Sequence, residues 1–152
     1  MIQEYIKKSG YTTACLLLNR DQEPIASFSY ERVNEYPVSG GPTVVGRSTD
    51  DSRAKEYARE LLQAGGWEGP AEVEFIIDES GTPRLLEVNP RFWMPVHLAV
   101  RSGVDFPYLV SALAEGANPN PVTNYRTDVK YRWTLPNELL RVLETRDIGD
   151  LY

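Results

Sequence analysis

The stretch EVEFIIDESGTPRLLEVNPRF, residues 72–92, leaves the chain few ways to fold. Two apolar runs flank Ser80-Gly81, which has the chemistry of a two-residue hairpin loop. The strands are expected over 71–78 and 84–89. That loop sets a register in which Val73 faces Val88 and Phe75 faces Leu86, giving one apolar face. A four-residue loop keeps this register, whereas a three-residue loop disturbs it. The other face then carries Glu74 opposite Glu87 and Glu72 opposite Asn89. Directly opposed carboxylates repel. Solvent, a shared proton or a cation can offset the repulsion. A solvated polar face is the ordinary fate of such residues. The oxygens of Glu74, Glu87 and Asn89 are also a set that Mg²⁺ accepts, with phosphate oxygens completing its shell. Arg91 shares their side if the strand continues through Pro90. A cation site edged by arginine suits phosphate handling.

The rest of the chain surrounds this hairpin with an α+β pattern. TACLLL (13–18) and PIASFSY (24–30) read as strands. The stretch 31–49 reads as a long loop, because Pro37, Gly40, Gly41 and Pro42 punctuate it. A helix is expected over 51–64, capped by Asp50 or Asp51 and ended by Gly65-Gly66. Two short helices follow in 95–103 and 105–116, each stopped by glycine. The segment 128–133 alternates like a strand, and 137–145 reads as a helix capped by Asn137. Strands and helices that do not alternate strictly imply an α+β fold, an antiparallel β-sheet with helices packed on one face.

Length and charge narrow the classes. At 152 residues the chain fits a single domain, 1–152, able to bury a core. A net charge of −6 argues against nucleic acid or an anionic membrane as partner. The single cysteine, Cys15, permits no intrachain disulfide and suits a reducing, cytoplasmic setting. MIQEYIKKSG lacks the apolar core of a signal peptide, and no run is long enough to span a bilayer.

AEVEF (71–75), LLEVNPRFW (85–93) and LAVRSGVDFPYL (98–109), in that order, resemble the C-terminal lobe of the ATP-grasp family. The large chain of carbamoyl-phosphate synthase and other carboxylate–amine ligases are examples. IQEYI (2–6) is similar to the family's interlobe strand, and YERVNEYPVSGGP (30–42) to the loop before its helix. The resemblance implies the C-terminal half of an ATP-grasp fold, with 120–152 as an extension packed on it. It implies that Glu74 and Glu87 hold Mg²⁺, that Asn89 holds a second ion bridged by Glu87, and that Arg91 steadies the transferred phosphate. It implies that Glu4, Tyr5 and Ile6 lie where backbone groups meet adenine. The activity implied is ATP-dependent carboxylate–amine or carboxylate–thiol ligation through an acylphosphate. ATP and a small carboxylate would then be its ligands. The N-terminal lobe would come from elsewhere in the same or another chain, leaving this part inactive alone. A second reading keeps the fold and drops the chemistry: a non-catalytic module used for homo-dimerisation or partner binding.

Arg32 is a further candidate, for phosphate or the substrate carboxylate, although a surface arginine is the commoner outcome. Gly40-Gly41 shapes either a substrate loop or a plain turn. His97, the only histidine, reads as a packing or capping residue. Trp67, Trp93 and Trp133 read as core anchors or lobe-interface residues. Met94-Pro95 stands where family members commonly have Gly-Ser, a bulkier lining for the acceptor pocket.

Overall fold

The computed structural model describes residues 4–38 and 40–146. Six strands form one antiparallel sheet: β1 (Lys8–Leu18), β2 (Pro24–Glu35), β3 (Thr43–Thr49), β4 (Gly69–Asp78), β5 (Pro83–Asn89) and β6 (Lys130–Arg132). Their order across the sheet is β5-β4-β1-β2-β3-β6. The helices are α1 (Ser52–Ala64), α2 (Val96–Ser102), α3 (Phe106–Ala114) and α4 (Leu139–Thr145). The α+β class and the antiparallel sheet are as the sequence implied.

Both faces of the central strand β1 are buried, which is why TACLLL is a continuous apolar run rather than an alternating one. Cys15 and Leu17 pack with Phe28 and Tyr30 of β2 under Leu98 and Ala99 of α2 and Phe106 and Leu109 of α3. Ala14, Leu16 and Leu18 pack on the other face, with Val73 and Phe75 of β4 under Ala54, Ala58 and Leu62 of α1. Helices expected on one face are therefore divided between two, because alternation along β1 gives each face its own apolar row. Asp51 caps α1 by accepting from the Ala54 N–H, and Gly65 ends it.

The expected loop at 31–49 is mostly strand. β2 runs on to Glu35 and β3 begins at Thr43, so only 36–42 connects them. Gly46, within β3, serves close packing. A Cβ there would stand 3.0 Å from Leu98 Cδ2. The polar outer half of β2 is stabilised by side-chain pairing instead of apolar burial.

The hairpin register holds, though by a different route. The loop has three residues, not two. Asp78 N–H donates to Thr82 O (3.1 Å) and Gly81 N–H to Asp78 O (2.9 Å). Asp78 Oδ1 accepts from Ser80 N–H, Ser80 Oγ and Thr82 N–H at 2.6–3.0 Å. Gly81 supplies the positive φ of 78° that closes such a loop. The shift is undone by a bulge between Glu74 and Phe75. Phe75 consequently faces Leu85 rather than Leu86, while Glu72↔Asn89, Val73↔Val88 and Glu74↔Glu87 stand as expected.

The C-terminal strand is only Lys130–Arg132. An irregular helical turn, Thr134–Glu138, precedes α4, and Asn137 does not cap it. Glu138 occupies the cap position, and its buried carboxylate instead takes Arg132 Nη1 (2.7 Å) and Arg141 Nε (2.9 Å). Among the described residues no helix is long and apolar enough to cross a membrane.

Candidate functional site

Parity along β4 decides which side chains meet. Glu72 and Glu74 pair with Cys15 and Thr13 of β1, on the face that also carries Tyr30. Arg32 follows Tyr30 two residues on, and Glu87 and Asn89 lie opposite on β5. Tyr30, Arg32, Glu72, Glu74, Glu87, Asn89 and Arg91 thus line one cleft of about 480 Å³. Its rim is formed by Tyr11, the 40–43 loop, Leu86, Met94 and Pro95. Glu74 and Glu87, expected together, are together, and Met94-Pro95 borders them.

Repulsion between the opposed carboxylates is offset by two partners that the sequence left unspecified. Arg32 Nη2 donates to Glu74 Oε2 at 2.5 Å. Asn89 Nδ2 donates to Glu87 Oε1 (2.9 Å) and Glu72 Oε2 (3.1 Å), with Glu74 Oε1 at 3.5 Å. Arg32 also donates to Glu35 (2.9 Å) and to the Gly41 carbonyl (3.2 Å), which ties the 36–42 loop to the cleft. Only 12% of the Arg32 side chain is exposed, so the expectation of a surface arginine fails. Its Nε is buried with no hydrogen-bond partner. The Tyr11 ring lies under the guanidinium, 4.9 Å from centroid to Cζ.

Glu72 was given no role at the sequence level. It is 4% exposed, and Tyr30 Oη donates to its Oε1 at 2.6 Å. Burial pushes its carboxyl up to about 7, opposed by the Tyr30 hydrogen bond and reinforced by the charge of Glu74. The signal was present in the register, since Glu72 has the parity of Glu74 and faces Asn89. Glu74 is also raised by burial, with Arg32 pulling it down and Glu87 pushing it up.

Arg91 is exposed at the mouth. Its Nη2 donates to Asn89 Oδ1 (3.3 Å) and its Nη1 to the Phe92 carbonyl (2.9 Å). Glu4, Tyr5 and Ile6 precede β1 and do not line the cleft, and Tyr5 is 89% exposed. His97 is outside it too, stacked on Trp133 with 6.2 Å between ring centroids. Among the described residues no three Asp, Glu, His or Cys side chains form a ready metal cage. The oxygen donors of the cleft are the carboxylates of Glu72, Glu74 and Glu87 and the Asn89 amide oxygen, which accepts from Arg91.

Residues 1–135 match the model of a family described as ATP-grasp in the biosynthetic pathway with Ter operon. The chain belongs to the ATP-grasp family. Solved ATP-grasp structures share its fold. The phosphoribosylaminoimidazole carboxylase ATPase subunit from Aquifex aeolicus is 18% identical with a TM-score of 0.65, over 81% of this chain and 39% of that one. A biotin carboxylase from Campylobacter jejuni in complex with β-γ-ATP is 18% identical with a TM-score of 0.66, over 84% and 30%. The pyruvate carboxylase from Rhizobium etli is 18% identical with a TM-score of 0.65, over 83% and 14%. The chain therefore spans well under half of each of these proteins. The comparison with curated proteins gave no match.

Proposed function

We propose that this chain is the nucleotide- and metal-binding lobe of an ATP-grasp carboxylate–amine or carboxylate–thiol ligase. One observation carries the reading: Glu74, Glu87 and Asn89 converge on a single cleft face with Arg32 and Arg91 beside them. The donor set fits Mg²⁺, because it is all hard oxygen and leaves coordination positions for phosphate. Glu74 and Glu87 would hold the ion, and Asn89 would hold a second one shared with Glu87. Bound Mg-ATP would supply a γ-phosphorus for a small carboxylate to attack with release of ADP, and an amine or thiol would then attack the acyl carbon of the resulting acylphosphate and release phosphate.

The chain's own residues prepare that site. Arg32, anchored between Glu35 and Glu74, offers a fixed guanidinium whose buried Nε has no hydrogen-bond partner. Such a preset charge stabilises a developing phosphoryl anion without reorganising. Arg91, exposed at the mouth and hydrogen-bonded to Asn89, would meet the transferred phosphate. Backbone groups of Glu4, Tyr5 and Ile6 would lie along adenine. The remainder of an ATP-grasp enzyme, in the same chain or another, would close the nucleotide cleft, and residues 120–152 would pack on the lobe as an extension. Alone, the lobe is expected to bind nucleotide weakly and to turn nothing over.

Calorimetric titration of Mg²⁺ with a non-hydrolysable ATP analogue tests this reading. Saturable uptake that disappears in Glu87→Gln is expected. Uptake that survives both Glu87→Gln and Glu74→Gln would place the ion elsewhere and refute it.

A further inference from the structure

Asn89 presents a side-chain amide whose two ends are nearly equal in size. Its orientation is therefore fixed by hydrogen bonds and not by shape. With Nδ2 toward the carboxylates, Oδ1 faces Arg91 at the mouth; turned over, the amide would aim Oδ1 at Glu72 and Glu87. Glu87 is exposed and can rotate away. Glu72 cannot. It is buried under the face of the sheet, and Tyr30, itself 1% exposed, clamps Glu72 Oε1 at 2.6 Å. Tyr30 is in turn held by Phe28, with ring centroids 6.2 Å apart. The other oxygen of Glu72 is left 3.1 Å from Asn89 Nδ2.

We propose that Glu72, braced by Tyr30, is a positioning residue that locks the amide of Asn89 with its oxygen toward Arg91. This rests on the reading of the cleft given above. Glu72 touches neither ion nor phosphate in this scheme. It acts on the donor that does, as hydrogen-bonded partners behind metal ligands commonly do.

Removing the brace tests it. The double variant Tyr30→Phe, Glu72→Met keeps an apolar filling of similar volume and leaves no orphaned hydroxyl. Mn²⁺ uptake in the presence of a non-hydrolysable ATP analogue, read by electron paramagnetic resonance at pH 8.5, should weaken about 10- to 100-fold. In an Asn89→Ala background the same pair of changes should weaken uptake by less than about twofold, because the residue through which they act is gone. Equal losses in the two backgrounds would mean that Glu72 acts on the ion directly, and no loss with Asn89 present would mean that it positions nothing. Either result overturns the proposal.

If the unaltered chain takes up no Mn²⁺, the reading of the cleft falls, and the positioning role is still measurable without metal. The side-chain N–H₂ of Asn89 should be protected from hydrogen exchange in the ¹⁵N-labelled chain and should lose that protection in the double variant. Equal protection in both would overturn the role.

Discussion

Substituting Glu72→Gln should make the metal-free chain more stable at neutral pH, and the size of the effect follows from burial. In the folded chain the Glu72 carboxyl is raised from an ordinary value of 4.5 to about 7. Below the lower value both folded and unfolded chains hold the proton, and stability does not depend on this group. Between the two values the unfolded chain has lost the proton and the folded chain keeps it. Stability must then fall as pH rises, at about 1.4 kcal/mol per pH unit. The loss reaches about 3 kcal/mol near pH 7 and stays level above it. At 4% exposure little solvent screening reduces this figure. Glutamine keeps the volume and cannot ionise. Urea unfolding of both proteins in EDTA from pH 4 to 9 measures the difference. Glu74 is present in both proteins, and its repulsion of Glu72, absent from the variant, is part of the gap. The expected gap is near zero at pH 4 and about 3 kcal/mol in favour of the variant at pH 8. Parallel curves across that range would refute the claim that burial dominates this carboxyl.

The other carboxylates should respond differently. Glu74→Gln should raise metal-free stability at pH 7 in urea unfolding, by less than Glu72→Gln does, because burial raises its carboxyl while Arg32 pulls it down. Exposed Glu87→Gln should leave it within about 0.5 kcal/mol of the starting value in the same measurement. Glu138→Ala removes the buried carboxylate that accepts from Arg132 and Arg141 and should cost about 3 kcal/mol by thermal unfolding. Gly46→Ala pushes on Leu98 and should cost about 1 kcal/mol by chemical denaturation, relieved when Leu98→Val is added.

The cleft was legible in the sequence to the extent that it depends on period-two alternation. Opposition of Glu74 and Glu87 needed only a hairpin centred near Ser80-Gly81. It survived a loop of the wrong length because a bulge at Glu74–Phe75 restored the pairing beside the site. The strands β2 and β3 were legible only in part. Their outer halves are held by ion pairs and by a glycine under Leu98, neither of which produces an apolar pattern. β6 was read from the alternation over 128–133, though shorter than expected, whereas the turn before α4 escaped because Glu138 is buried against two arginines that pattern reading places in solvent.

By itself, the sequence determined that two acidic strands would be neighbours, that the class would be α+β, and that the Glu-x-Asn-Pro-Arg run would stand at the strand end. Those facts follow from local turn chemistry and side-chain alternation, which act over a few residues. Only the tertiary structure decided that Arg32 neutralises Glu74 across 42 positions of chain, and that Tyr30 buries and braces Glu72 over the same separation. Strand order sets those meetings. Strand order is chosen by how all six strands and both helical layers bury their apolar rows at once, which no single segment encodes.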